Sequence, residues 1–308
     1  MDLFSESFLS VPDTTIVKAI KTDGVFCAPA ALNENFLNSI CEDVARTGHG
    51  LNRNWISPVY MPDQLFLCQM FAVSRSFIKF CTHPRFFQLF DQILGSSYRL
   101  KVHRYYETYG GHHMQWHTDN RRESAFVHIP GLIVLAYISD VEDGEFQFVR
   151  RSHDWSGEKG YNDYADQFVE QNCHKDILSF RGPRGTLIIY DTYGVHRAKP
   201  VKKGKFVRKS IVFQVDGAPE ASEPLLINPE YIDNLDDRMK RYLGFGLPSG
   251  LNLWPQTDLS TMPLSRQSEI FWYVIRHLGK KISRAPAKLL PLQAKSIVKG
   301  LFRHSSTP

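Results

Sequence analysis

Cysteine is scarce in this chain of 308 residues and shows no pattern. The five cysteines, Cys27, Cys41, Cys68, Cys81 and Cys173, are odd in number, widely spaced and never form a C-x-x-C pair. That argues against a disulfide framework and a zinc ribbon, and predicts a reducing, cytoplasmic setting. No run of 18 apolar residues occurs, so no transmembrane helix is expected. Met1 to Pro12 holds Asp2 and Glu6 and no basic residue, which predicts no secretory signal. Position 2 is not glycine, and Ser-Ser-Thr-Pro at positions 305–308 matches no prenyl or peroxisomal signal. Internal repeats and low-complexity tracts are missing. Gly244-Phe-Gly246 lacks both the preceding strand and the following pattern of a dinucleotide-binding turn.

What is present is ordinary folded composition, 43% hydrophobic and 22% charged. At roughly 150 residues per domain, the length allows one large domain or two modest ones. The net charge of +5 is uneven. Residues 261–308 hold nine Lys or Arg against one acid, Glu269, so the rest of the chain is slightly acidic. With no recognition motif in that acidic body, a nucleic-acid partner is not expected. In the basic stretch, Leu290, Leu292, Ile297, Val298, Leu301 and Phe302 alternate with Lys295, Lys299 and Arg303. Such a helix can lie on an anionic membrane as a peripheral contact, or pack on a core with its charges in water, the commoner arrangement.

The first 95 residues read as helices around one strand. Helices are expected over Thr14–Thr22, Asn33–Arg46 and Pro84–Leu94, with a strand at Gly24–Cys27. Pro84 at the start and Gly95 just past the end punctuate the last of these helices. Strands then dominate: Tyr98–Thr108, Met114–Asp119, Leu132–Ser139, Glu145–Val149, Thr186–Asp191 and Phe206–Val215, with one helix over Asn162–Asn172. Strands in succession without regular helical crossovers predict an antiparallel sandwich or barrel. Two further helices are expected over Leu264–Lys281 and about Leu290–Phe302. The division predicted is an enzyme domain over 1–218, helical over 1–95 and with its core over 96–218, followed by a partly helical extension over 219–308.

The informative residues are His117 and Asp119, in Trp116-His117-Thr118-Asp119. On a strand, residues i and i+2 share a face, so imidazole and carboxylate can converge on one point. His196 follows just past an apolar strand. Two neutral imidazoles and a carboxylate on one face of a metal form the ligand set of non-haem Fe(II) oxygenases. A lone His-x-Asp is common and twelve histidines make an accidental third ligand easy, so the order of motifs carries the argument. Arg208 and Ser210 also sit two apart. A guanidinium inside a barrel needs an anion, and its forked donors match a carboxylate. The pair reads as a clamp for the distal carboxylate of a dicarboxylic acid.

Together these stretches resemble the phytanoyl-CoA dioxygenase-like branch of the Fe(II)/2-oxoglutarate oxygenases. The matching text is Trp116-His117-Thr118-Asp119, Asp143-Gly144-Glu145-Phe146-Gln147-Phe148-Val149 with Ser152-His153, Gly185-Thr186-Leu187-Ile188-Ile189-Tyr190-Asp191 leading to His196, and Arg208. It spans roughly residues 15–216. Arg150-Arg151 stand where the family commonly has Pro-Gly. The resemblance implies a double-stranded β-helix, or jelly-roll, with helices packed outside. It implies Fe(II) on His117, Asp119 and His196, with 2-oxoglutarate held by Arg208 and oxidised by dioxygen to succinate and carbon dioxide. Halogenating relatives have a small residue in place of the carboxylate, so Asp119 implies hydroxylation of a small-molecule or lipid-like substrate.

Other residues carry weaker signals. Gln115 and Tyr106 are candidates for the other end of 2-oxoglutarate by strand parity. Arg121 and Arg122 could draw an anionic substrate to the mouth, or simply form a solvated turn. Thr118 points away and reads as packing. His112 and His113 read as solvated, His103 and His128 as satisfied strand histidines, and His153 as a loop anchor. Asp191 either orients a neighbour or caps the turn to His196. Two rivals stay open: a cupin-type metalloenzyme that does not use 2-oxoglutarate, and a non-catalytic jelly-roll binding protein.

Overall fold

The computed structural model describes residues 2–48, 58–60, 64–110, 114–120, 129–155, 164–201, 207–217, 225–232 and 235–247, and then Ser268, Phe271, Trp272, Ile275 and Arg276. The elements run α1 (Glu6–Leu9), α2 (Asp13–Asp23), β1 (Val25–Ala28), α3 (Glu34–Gly48), β2 (Pro58–Tyr60), β3 (Gln64–Leu67), α4 (Arg75–Cys81), α5 (Pro84–Leu94) and β4 (Arg99–Tyr109). They continue with β5 (Gly131–Tyr137), β6 (Val141–Val149), α6 (Asp166–Asn172), β7 (Ile177–Gly182), β8 (Leu187–Asp191), β9 (His196–Ala198), β10 (Val207–Asp216) and α7 (Asp237–Tyr242).

Two antiparallel sheets result. One has seven strands in the order β1-β8-β5-β10-β4-β3-β2, the other three in the order β7-β6-β9. Strand parity separates two cores. On β10, Ile211, Phe213 and Val215 face the helices, where Phe213 packs against Phe80, Phe86 and Phe90. The other face of the sheet turns toward the smaller sheet. There Val25, Ile133, Tyr137, Ile188 and Tyr190 meet Val141, Phe146 and Phe148. The Tyr137 hydroxyl joins the sheets, donating to the Phe180 carbonyl at 2.8 Å and accepting from the Phe146 amide at 3.0 Å. The body is thus mainly antiparallel sheet, jelly-roll-like, with the N-terminal helices outside it. No helix among the described residues is long and apolar enough to cross a membrane.

Local signals explain the helix ends. Pro84 opens α5, and the His83 ring accepts from the Arg85 amide at 3.2 Å. Gly24 ends α2 in the left-handed conformation (φ 84°) and turns the chain directly into β1.

The expected strand over Met114–Asp119 is corrected. That stretch holds a single bridge, His117 to His196, and Asp119 turns away to bond Thr192. Strands β2, β3, β7 and β9 and helix α4 were not expected. The compact units are Met1–Pro255 and Gln256–Pro308. Residues 225–247 belong to the first because Leu235, Tyr242 and Leu243 are apolar and complete the helix-side core, Tyr242 packing on Phe87, Phe90 and Tyr98. In the second unit the described residues are helical, within the expected Leu264–Lys281. The expected helix over about 290–302 lies outside the described residues.

Candidate metal centre

His117, Asp119 and His196 come together as the three sequence-predicted ligands, with their donor atoms all within 4.8 Å of one another. Backbone pairing sets the distance between the histidines. The His117 amide donates to the His196 carbonyl at 3.0 Å, and the reverse bond is 2.9 Å. The Asp119 amide donates to the Thr192 carbonyl at 3.0 Å, in the turn that leads from β8 to His196. The two ligand-bearing segments are therefore stitched together along their backbones.

Both imidazoles are oriented in the same way. His117 Nδ1 lies 2.8 Å from the Gln115 carbonyl, and His196 Nδ1 lies 2.9 Å from the Gly194 carbonyl. A carbonyl only accepts, so each Nδ1 carries a proton and Nε2 is the ring nitrogen left to face a metal. His196 Nε2 stands 3.1 Å from Asp119 Oδ2. Burial, reinforced by His196, pushes the His117 pKa down to about 4. Burial alone would push Asp119 up, but His196, His117 and Lys101 outweigh it and hold the carboxyl below its ordinary value. Two neutral imidazoles and an ionised carboxylate are what a divalent metal requires. Asp119 is the open member, its side chain 26% exposed against 5% for His196.

Tyr190, whose role was not anticipated, lies beside these ligands. Its hydroxyl is 3.5 Å from both Asp119 Oδ2 and His196 Nε2. Burial first, then Asp119 and Tyr106, keep it protonated by raising it well above the ordinary value. The signal lay in strand parity: Ile188 and Tyr190 share the inner face of β8.

Arg208 is buried on the inner face of β10, opposite Thr108, and Ser210 lies opposite Tyr106 and Tyr137. The guanidinium donates to the Gly144 carbonyl and, at 3.3 Å, to Thr108 Oγ1. Gly144 presents that carbonyl from a left-handed turn (φ 64°) pressed against Val201, where a Cβ would stand 2.3 Å from a Val201 methyl. Burial lowers the Arg208 pKa, outweighing the opposite pull of Tyr137 and of the Glu145 carboxylate. Tyr106 is half-buried on the inner face of β4. Gln115 is exposed, and what it contributes to His117 is its carbonyl.

The remaining expectations divide. Thr118 is buried and its hydroxyl has no hydrogen-bond partner, in keeping with packing. His103 is a correction: it is buried, but neither ring nitrogen has a partner, and Phe71 packs 4.0 Å from its ring centre. His153 anchors its loop to the end of α2, 3.3 Å from the Lys21 carbonyl. Asp191 caps the turn, accepting from the Tyr193 amide at 2.8 Å. Arg121, Arg122, His112, His113 and His128 lie outside the described residues.

No protein-family model matches the chain, the phytanoyl-CoA dioxygenase-like one included, and no curated protein matches it. Solved structures do. HygX from Streptomyces hygroscopicus, with nickel, 2-oxoglutarate and hygromycin B bound, has a TM-score of 0.52 at 14% identity, over 65% of this chain and 86% of its own. The epimerase SnoN, in complex with Fe3+, alpha-ketoglutarate and nogalamycin RO, has a TM-score of 0.50 at 16% identity, over 73% of this chain and 90% of its own. At these identities the likeness establishes a shared fold.

Proposed function

We propose that the chain is an Fe(II)- and 2-oxoglutarate-dependent oxygenase with a double-stranded β-helix core, of the kind the phytanoyl-CoA dioxygenase-like resemblance implies. One observation carries the reading. Two imidazoles, both locked by carbonyls at Nδ1, bring Nε2 together with an ionised carboxylate at one point. The donor set fits a ferrous ion, and HygX and SnoN, which share the fold, bind iron or nickel with 2-oxoglutarate.

His117, Asp119 and His196 would hold the metal, which with 2-oxoglutarate and dioxygen supplies an oxidation strong enough to break a substrate C–H bond. Arg208 would pair with the distal carboxylate of 2-oxoglutarate. The Gly144 carbonyl and the Thr108 hydroxyl take one donor from each of two guanidinium nitrogens, which fixes the plane of the fork and leaves three N–H groups for the acid. Ser210 adds a hydroxyl beside it, and Tyr106 and Gln115 are the nearest candidates for further contacts. Tyr190 stays protonated and offers its O–H to Asp119, which limits the carboxylate to one free oxygen. Asp119 itself favours hydroxylation over halogenation.

The substrate belongs to small molecules, lipid-like ones included, with Arg121 and Arg122 as candidate contacts for an anionic group. A cytoplasmic setting and peripheral contact of the basic 261–308 stretch with an anionic membrane complete the reading. Anaerobic titration of the Fe(II)-loaded protein with 2-oxoglutarate, followed by tryptophan quenching, should saturate. Succinate should then form on admission of oxygen. Iron uptake without saturable 2-oxoglutarate binding would favour the cupin-type rival, and saturable binding with background succinate across a broad substrate panel the non-catalytic one.

A further inference from the structure

A buried polar cluster next to the metal centre plays no role in the chemistry proposed so far. Asn120 follows the carboxylate ligand directly and uses every hydrogen-bonding valence of its side-chain amide. Its Oδ1 accepts from Lys101 Nζ at 3.0 Å and Gln214 Nε2 at 3.2 Å. Its Nδ2 donates to Thr192 Oγ1 at 3.0 Å and Asp216 Oδ1 at 3.4 Å. The orientation of the amide is settled by its neighbours, since an ammonium can only donate and a carboxylate only accept. Lys101 closes the cluster with an ion pair to Asp216 Oδ2 at 2.8 Å.

The fold goes to some length to assemble this group. The β4–β10 register slips between Gln214 and Val215, so that Lys101 has no partner residue across the strand. Such a bulge re-aims side chains and bends the strand locally. Gly131 leaves the room: a Cβ there would lie 2.5 Å from Asp216 Oδ1, 2.8 Å from Thr192 Oγ1 and 3.0 Å from Asn120 Nδ2. The cluster therefore fastens three strand ends, on β4, β5 and β10, to Asn120 and Thr192. Those two residues sit on the two segments that carry Asp119 and His196.

We propose that Asn120 is a positioning residue that sets the reach and direction of the Asp119 carboxylate by tying its backbone to Thr192 and the ends of β4 and β10. The proposal rests on the metal-centre reading and deepens it. Asp119 is the ligand least enclosed by packing, and its stretch of backbone is held at Thr192, whose carbonyl accepts from the Asp119 and Asn120 amides at 3.0 and 3.1 Å. The Asn120 side chain adds its own bond to Thr192 Oγ1 and ties that contact to Lys101 and Gln214 near the ends of β4 and β10, so it braces the backbone from which the carboxylate projects. Supports of this type set ligand orientation, and their loss typically costs 10- to 100-fold in metal affinity.

The test is anaerobic Co(II) titration of the full chain, read by visible d–d absorption, with thermal unfolding in parallel. Asn120→Ala should weaken Co(II) by ~10- to 100-fold and change the d–d band shape. Asn120→Asp keeps the acceptor for Lys101 but loses the donors to Thr192 and Asp216, so it should behave like the alanine variant. Gln214→Leu removes one bond of the four and serves as the milder variant, with a loss of ~3-fold. Thr82→Val, also buried and remote, just past the end of α4, is the control for stability alone and should leave affinity and spectrum unchanged. Wild-type affinity and spectrum in the Asn120 and Gln214 variants overturn the proposal, as does an equal loss in Thr82→Val. Wild-type protein that takes up neither Co(II) nor Fe(II) overturns the metal-centre reading, and the proposal with it.

Discussion

The chemistry of this protein is concentrated in a few side chains whose atoms are aimed before any ligand arrives. The Gln115 and Gly194 carbonyls select the tautomer of the two histidines, so His117→Ala or His196→Ala should abolish stoichiometric iron binding, measured by metal analysis after anaerobic loading, with the fold kept by circular dichroism. Normal iron content in both variants would remove the metal assignment. In the function proposed above, Arg208 would anchor 2-oxoglutarate. Arg208→Met keeps the bulk, loses the fork, and should weaken 2-oxoglutarate by about a hundredfold, in line with the ~2–5 kcal/mol cost of truncating one partner of a buried charge pair. An unchanged titration would separate Arg208 from the co-substrate. These residues were legible in the chain because each pair lies two apart and the pairs occur in order. Tyr190 and Asn120 were not, because a tyrosine in an apolar run gains meaning only beside Asp119 and His196, and an asparagine after a ligand only when Thr192 and the end of β10 are brought to it.

Each element of the large sheet does two jobs, one on each face. On β4, Arg104, Tyr106 and Thr108 share the inner face while His103 and Tyr105 face the helices. The helix side makes no use of the polarity of His103: burial, helped by Arg104, drives its pKa down to about 3. Between its ordinary value near 6.5 and about 3, the unfolded chain binds a proton that the folded chain refuses. Stability from this group is therefore complete above pH ~6.5 and falls as the pH drops through that window, at ~1.4 kcal/mol per unit. His103→Leu also removes two unsatisfied nitrogens, so urea midpoints should equal or exceed wild type at pH 7 and fall less between pH 6.5 and 4. Parallel acid limbs would refute this. The β8–β9 turn is as constrained. A Cβ on Gly194 would stand 2.1 Å from the Phe148 ring, so Gly194→Ala should cost ~1–3 kcal/mol in chemical denaturation and weaken iron. Adding Phe148→Leu should recover some of both losses, and strict additivity would show that the clash is not the cause. α5 could be read from sequence because its periodicity is sustained over 11 residues, and β8 because its apolar run is unbroken from Leu187 to Tyr190. β9 has three residues, and β7 is an edge strand whose exposed positions are Ser179 and Arg181, so neither leaves a pattern to read.

At the scale of the whole molecule, the division into Met1–Pro255 and Gln256–Pro308 separates chemistry from charge. The three apolar clusters, the metal-site residues and the Asn120 network all fall within the first unit. The excess of cations falls in the second, with nine Lys or Arg against Glu269 over 261–308. The same stretch exposes Phe271 and Trp272, at 59% and 55%, and their rings meet edge to face at 5.8 Å. Aromatic side chains beside basic ones suit the interface of an anionic bilayer, where each cation near the surface contributes ~1 kcal/mol and salt screens the attraction. Residues 1–255 alone should therefore keep the melting temperature and iron stoichiometry of the full chain. The full chain should float with phosphatidylserine-containing vesicles at low salt and detach as salt is raised, whereas 1–255 should stay in the pellet fraction throughout. Equal flotation of the two forms would assign the basic stretch to packing, and loss of iron in 1–255 would mean that the second unit supports the metal centre.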